Sequence, residues 1–281
     1  MAGSSSEQYA RNYMLGTGYQ GTARLNLQHF FWKDQMGYNL HPSIPTSSSE
    51  LKIADIGTGT GIWLLEMART LASSAQLDGF DNNLSQCPPK EWLPDNVNIY
   101  DFDAFADLPE HLIGKYDILH IRLFLLIVQN NDPMPLLKTF IQMLKPGGYI
   151  QWAEYDLASR YIVHAQSSNS SANLTAAIDA PTGQNDTRMH PKWVADLPRT
   201  FREGGLIDVF EHRKGTDLTH LLLHNDVILL ALEEMSYRAL DRLGDGKGQA
   251  LRESLIKADL ECRKGVAINQ DRVTVIGRRP L

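Results

Sequence analysis

Three glycines at alternate positions, Gly57, Gly59 and Gly61, follow the apolar run Leu51-Lys-Ile-Ala-Asp-Ile56, whose single acid is Asp55. A backbone without Cβ turns sharply and lies close to a ligand that any side chain would hold away, so this loop predicts a site for a nucleotide-type cofactor. Spacing narrows the chemistry. A dinucleotide fingerprint, G-x-G-x-x-G or its alanine-ended form, would place its last position at Ile62 or Leu64, and a phosphate loop would need Lys and then Ser or Thr where Ile62 and Trp63 follow Gly61. No pyrophosphate cradle is encoded. Further acids recur at the ends of strand-like segments: Asp81 after Leu77-Asp-Gly-Phe80, and Asp101 and Asp103 in Val97-Asn-Ile-Tyr-Asp-Phe-Asp103. His120 and Arg122 lie in Tyr116-Asp-Ile-Leu-His-Ile-Arg122, and Glu154 closes Tyr149-Ile-Gln-Trp-Ala-Glu154, all where an open α/β sheet binds its ligands.

These residues need a scaffold of strands and helices in alternation. The apolar-rich run Ile62 to Leu71 reads as a helix after the glycine turn, and a second helix from about Pro133 to Leu144 stops at Lys145-Pro-Gly-Gly148. Leu206 to Phe210 and Arg272 to Gly277 add two more strand-like segments, the first after a helix ended by Gly204-Gly205. The expected fold class is α/β, a doubly wound and mostly parallel seven-stranded sheet. Ahead of it, Tyr9 to His41 has helical periodicity, and Pro42, Pro45 and Ser47-Ser-Ser49 form a linker, giving a helical cap and linker over residues 1–49 and a cofactor-binding domain over 50–281. If Thr22 to Met36 is one helix, Leu25, His29 and Trp32 share a face, beside a stripe of Arg24 and Gln28. Ser167 to Thr187, rich in Ser, Asn and Thr, reads as a mobile surface loop, and about Thr219 to Leu243 as a lid helix. Substrate-lid insertions are thus expected at about 156–200 and 215–264.

Composition bounds the function. The 281 residues are 43% hydrophobic and 21% charged, ordinary for a globular chain, and the formal net charge of −6 with no run of Lys and Arg argues against a nucleic-acid footprint. A small-molecule partner fits better. No apolar run approaches a membrane span of about 20 residues. With two cysteines and an N-terminus that lacks a basic start and apolar core, a cytoplasmic, reduced chain is the expectation. His220 and His224 stand four apart but lack a third ligand and the H-E-x-x-H order, so no metal is expected.

Taken in order, Asp55-Ile-Gly-Thr-Gly-Thr-Gly61, Gly79-Phe-Asp81, Asp101-Phe-Asp103, Tyr116 to Arg122 and Leu144-Lys-Pro-Gly-Gly148 resemble the motifs of class I S-adenosylmethionine (SAM) methyltransferases over roughly Leu51 to Glu154. Arg24-Leu-Asn-Leu-Gln-His29, together with His120-x-Arg122, resembles the filamentous-fungal group that modifies secondary metabolites and also contains a methyltransferase-like regulator. The resemblance implies methyl transfer from SAM to oxygen or nitrogen of a small-molecule metabolite, leaving S-adenosylhomocysteine. A regulator or scaffold role, or a non-methylating reaction on the same fold, is the alternative, and oligomeric state stays open. It also implies the cofactor contacts. Asp81, with Asn82 beside it, resembles the ribose-binding acid; Asp103 with Ala104 resembles the adenine site, with Asp101 competing. Gly57, Thr58 and Gly59 make room for the methionine arm, Asp55 organises the turn or meets the ligand ammonium through water, and Tyr13 and Arg24 of the cap meet the SAM carboxylate, with His120 also near the cofactor. Methyl transfer is an in-line displacement that needs alignment and, for a hydroxyl, a base; His120, Glu154 and His29 are the candidates. Arg122 either orients an acidic substrate or pairs with Glu154.

Overall fold

The computed structural model describes residues 13–180 and 187–281. Residues 1–12 of the expected cap and residues 181–186 of the expected loop lie outside the described residues. A seven-stranded sheet carries β1 (Lys52–Ile56), β2 (Gln76–Asp81), β3 (Val97–Asp101), β4 (Tyr116–Arg122), β5 (Leu144–His164), β6 (Ile207–Lys214) and β7 (Val266–Arg278). Its order is β3-β2-β1-β4-β5-β7-β6. The pairs from β3 to β5 are parallel and β7 runs antiparallel to both β5 and β6.

Alternation along the central strands divides the core between two faces. Ile53 and Ile118 join a cluster with Trp63, Leu64 and Leu77, whereas Ala54, Ile56, Leu119 and Ile121 join the larger cluster with Phe140, Trp152 and Phe201. Helices α1 (Tyr19–Met36), α2 (Ile62–Ala68), α3 (Met134–Met143) and α5 (Trp193–Glu203) flank the sheet. The cap helix α1 ends at Gly37, whose left-handed φ of 83° directs its amide back to the Lys33 carbonyl. It is not a conventional amphipathic surface helix: Arg24, Gln28, His29 and Gln35 are buried along with Phe31, Trp32 and Met36. Trp32 and Met36 belong to the main core.

β5 and β7 continue past the sheet as a two-stranded ribbon in which Tyr161 pairs with Asn269 and His164 with Val266, after a register shift between Asp156 and Tyr161. The ribbon supports a second helical layer of α4 (Ala172–Asp179), α6 (Leu221–Met235) and α7 (Lys247–Cys262), with its own core of Leu174, Ala177, Leu232, Leu255, Ala258 and Ile268. The expected loop at Ser167 to Thr187 is therefore corrected, because Leu174, Ala177 and Ile178 lie three and four apart and bury one helical face. Glu261 of α7 caps that helix, accepting from the amides of Asn173 and Leu174 at 3.2 and 2.9 Å. Among the described residues, no helix is long and apolar enough to cross a membrane.

Candidate active site

A cavity of about 340 Å³ opens over the C-terminal ends of β1 to β5, roofed by α1 and α6. Gly57, Gly59 and Gly61 all have left-handed φ, at 69°, 59° and 73°, the region glycine enters without steric cost. Chain direction explains why. The amides of Gly57 and Thr58 both donate to the Phe80 carbonyl, at 2.7 and 3.0 Å, so the loop folds back against the end of β2. A Cβ on Gly57 would collide with the Phe124 ring. The loop is thus pressed between β2 and the segment after β4, and only glycine fits there.

The acids of the glycine loop and of the end of β2 are satisfied by hydrogen bonds from the chain itself. Asp55 accepts from the Thr58 hydroxyl at 2.7 Å on one oxygen and meets His120 Nδ1 at 2.7 Å on the other. It organises the turn and is not among the cavity-lining residues. Asp81 accepts from the Gly59 and Asn83 amides at 2.8 and 3.0 Å. Burial pushes the Asp81 carboxyl up from its ordinary value, while these amides hold it down. Asn82, Asp103 and Ala104 line the cavity with Asp81; Asp101 does not.

The cap supplies Arg24, which is 3% exposed. Its Nε and Nη2 grip the two oxygens of Glu234 on α6 at 2.7 and 3.1 Å, and its Nη1 donates to Gln28 at 3.1 Å. One hydrogen on each Nη is left for a ligand. Tyr13 lines the same wall, its phenol pushed above the usual range by burial.

The three expected bases are placed differently from one another. His120 does not line the cavity: its ring stacks on Trp63 at 4.0 Å and 3°, behind the glycine loop, and burial lowers its pKa against the pull of Asp55. Glu154 is fully buried under the turn after β4, where one oxygen accepts from the Phe124 amide at 2.6 Å and from Trp152 Nε1 at 2.7 Å. Burial raises it to about 8. His29 does line the cavity, but its Nδ1 accepts from Arg122 Nη2 at 3.0 Å, which puts the ring proton on Nε2. Burial, then the Arg122 charge, lowers His29 to about 3, so it is neutral at physiological pH.

Arg122 forms no ion pair with Glu154. Burial draws its pKa down to about 10, its guanidinium lies 5.8 Å from the Trp32 ring centre, and no carboxylate among the described residues stands within ion-pair distance. Leu123, next in the chain, has a left-handed φ of 64°, a conformation costing a non-glycine residue about 1–2 kcal/mol. Its amide donates to the Ala153 carbonyl at 3.0 Å, and the Glu154 bond to Phe124 fixes the residue after it. Sequence reasoning did not single out Phe124, Tyr155, Arg160, Gln270 or Glu234. Tyr155 and Arg160 had one available signal, since they continue the strand beyond Glu154; Glu234 had none, because its partner lies 210 residues away.

The sheet order, the reversed β7 and the glycine loop after β1 define a Rossmann-like class I methyltransferase fold. The chain belongs to the methyltransferase domain family, which matches residues 31–224. It is similar to methyltransferase grgD of a Penicillium species, with 35% identity over 51% of this chain and 52% of that protein. It also resembles N-methyltransferase verN of Clonostachys rogersoniana, with 29% identity over 54% and 53%. These matches span only about half the length of those curated relatives. Haemonchus contortus phosphoethanolamine N-methyltransferase 2, solved with S-adenosylhomocysteine, shares the fold at TM-score 0.51 and 14% identity, over 92% of this chain and 58% of that one.

Proposed function

We propose that this protein is an enzyme that transfers the methyl group of SAM to an oxygen or nitrogen of a small-molecule secondary metabolite. The observation that carries the reading is the succession across β1, β2 and β3: the left-handed Gly57 and Gly59, Asp81, and Asp103 with Ala104, all facing one cavity. This arrangement fits the cofactor, because Gly57 and Gly59 bring backbone without side chains to the cavity wall and Asp81 presents acceptors suited to a ribose diol. Asp103 and the Ala104 amide suit an adenine edge, and Gly57, Thr58 and Gly59 border the methionine arm, with Tyr13 and the spare Arg24 hydrogens at its carboxylate.

SAM supplies an electrophilic methyl on a sulfonium. The chain's own residues align the acceptor and exclude water, which is most of what an in-line displacement requires. In this reading His120 and Glu154 act as positioning residues, the first through Asp55 and the glycine turn, the second through Phe124. His29 orients Arg122. Support for nitrogen as acceptor comes from relatives named as N-methyltransferases, verN among them, and for secondary metabolism from relatives named as its regulators.

Calorimetric titration with SAM tests the cofactor assignment. Asp81→Ala should weaken binding by about 1.5–3 kcal/mol, the range for a hydrogen bond to a charged group. Unchanged affinity in a folded variant would sink it. Labelled SAM incubated with a metabolite extract, followed by mass spectrometry of the labelled product, identifies the acceptor.

A further inference from the structure

Charge is unevenly distributed around the cavity. Five arginines line it, Arg24, Arg122, Arg160, Arg188 and Arg238, against two carboxylates, Asp81 and Asp103, in a chain whose net charge is −6. The carboxylates sit at β2 and just after β3, while Arg122 and Arg160 sit on β4 and on the extension of β5. Strand order therefore turns the cavity into a gradient, acidic on the β3 side and cationic on the β5 side.

The cationic side also holds an orphaned polar group. Tyr155 is 6% exposed and lines the cavity, and its buried hydroxyl has no hydrogen-bond partner among the described residues. A buried hydroxyl left unpaired costs about 1–3 kcal/mol, so such a group within a cavity points to a ligand. Trp32 ties it to Arg122: the Tyr155 ring packs edge-on against Trp32 at 4.9 Å, and the Arg122 guanidinium lies 5.8 Å from the same indole. Arg24 is unlike these groups, since Glu234 already neutralises it. Helix α6 contributes apolar surface to the same cavity, Val227, Ile228, Leu232 and Met235.

We propose that the acceptor is a hydrophobic carboxylic acid, its carboxylate held by the Arg122 guanidinium and the Tyr155 hydroxyl and its apolar body lying against the lid helix α6. This deepens the methyltransferase reading and rests on it for the identity of the reaction. A guanidinium beside a phenol offers donors to both oxygens of a planar carboxylate, and a charge-assisted bond in a cavity shielded from water is worth more than a neutral one. Arg160, whose Nε donates to Gln270 at 3.1 Å, adds positive potential on the same side.

Binding tests the subsite without needing the true substrate. Protein saturated with S-adenosylhomocysteine is titrated with naphthalene-2-carboxylate and with the isosteric naphthalene-2-carboxamide. The acid should bind at least about tenfold more tightly than the amide. Arg122→Leu should abolish that preference, Arg122→Lys should restore part of it, and Tyr155→Phe should reduce it. Equal binding of the two probes, or a preference that survives Arg122→Leu, overturns the proposal. If Arg122→Leu does not fold, Tyr155→Phe decides: a reduced acid preference supports the proposal and an undiminished one overturns it. The preceding titration with S-adenosylhomocysteine reads the methyltransferase assignment by itself: absent cofactor binding alongside a retained acid preference would remove that assignment and leave the anion subsite standing.

Discussion

At the β1–β2 side of the cavity, Asp55 and Asp81 each receive hydrogen bonds from the chain on both oxygens, most of them from the glycine turn or the sheet beside it. On the β4–β5 side, among the described residues, Arg122 hydrogen-bonds the neutral His29 ring and forms no ion pair, and the Tyr155 hydroxyl has no hydrogen-bond partner. Prepaired acids make a rigid cradle whose shape exists before any ligand arrives. The other side keeps donors waiting for an acceptor, and the stability of the fold bears that cost. Arg24 lies between these extremes, a buried cation with a carboxylate partner on α6.

Breaking that middle case should give the largest effect. Arg24→Ala leaves Glu234 with the Gly16 amide as its remaining hydrogen-bond partner among the described residues and should cost about 3–5 kcal/mol, the range for removing one member of a buried pair. Urea unfolding reads it as a lower midpoint at unchanged slope. A loss below about 1 kcal/mol would mean that α1 and α6 are not joined through this pair.

Gly57→Ala attacks the rigid side. The left-handed backbone and the collision with Phe124 together should destabilise the fold by about 2–4 kcal/mol and weaken SAM binding as well. Thermal unfolding with and without SAM separates the two losses. If the variant keeps wild-type stability, the loop is not confined by Phe124.

A smaller, graded effect sharpens the contrast beneath the turn after β4. Burial raises the Glu154 carboxyl from 4.5 to about 8, so between those values the folded state holds a proton that the unfolded chain has lost. Stability contributed by this group is therefore present below pH 4.5 and declines as pH rises toward 8, by at most about 1.4 kcal/mol per pH unit. Glu154→Gln keeps an acceptor for Phe124 and Trp152 and should remove that decline. His29 has the opposite sign. Its pKa is lowered from 6.5 to about 3, so its contribution to stability is lost as pH falls below 6.5. Stability measured from pH 4 to 9 should flatten above pH 6.5 in Glu154→Gln, and an unchanged alkaline limb would show that Glu154 does not titrate there.

Much of the scaffold was legible from local pattern. β4 was expected at Tyr116 to Arg122 and is found there, and β2 differs by one residue at its start. β5 and β7 run well beyond the expected segments at Tyr149 to Glu154 and Arg272 to Gly277, because their outer halves pair with each other outside the parallel sheet. That pairing links residues about a hundred apart, which no short window contains. In α4, a Ser- and Asn-rich flank masked a short apolar face whose burial depends on α7.

Within the site, the sequence by itself determined the glycine turn and the acids at the strand ends, since left-handed backbone and short polar strand termini are local demands that residue types reveal. It did not determine which titratable groups face the cavity. Glu154 and Tyr155 are neighbours on one strand and so point to opposite faces; the carboxylate was the more obvious chemical candidate, yet the phenol lines the cavity. His120 and Arg122 share a face, yet Trp63 of α2 covers the imidazole and leaves the guanidinium beside His29 of α1. Those outcomes depend on how two helices pack over the strand ends, and packing is a long-range property that only the tertiary structure fixes.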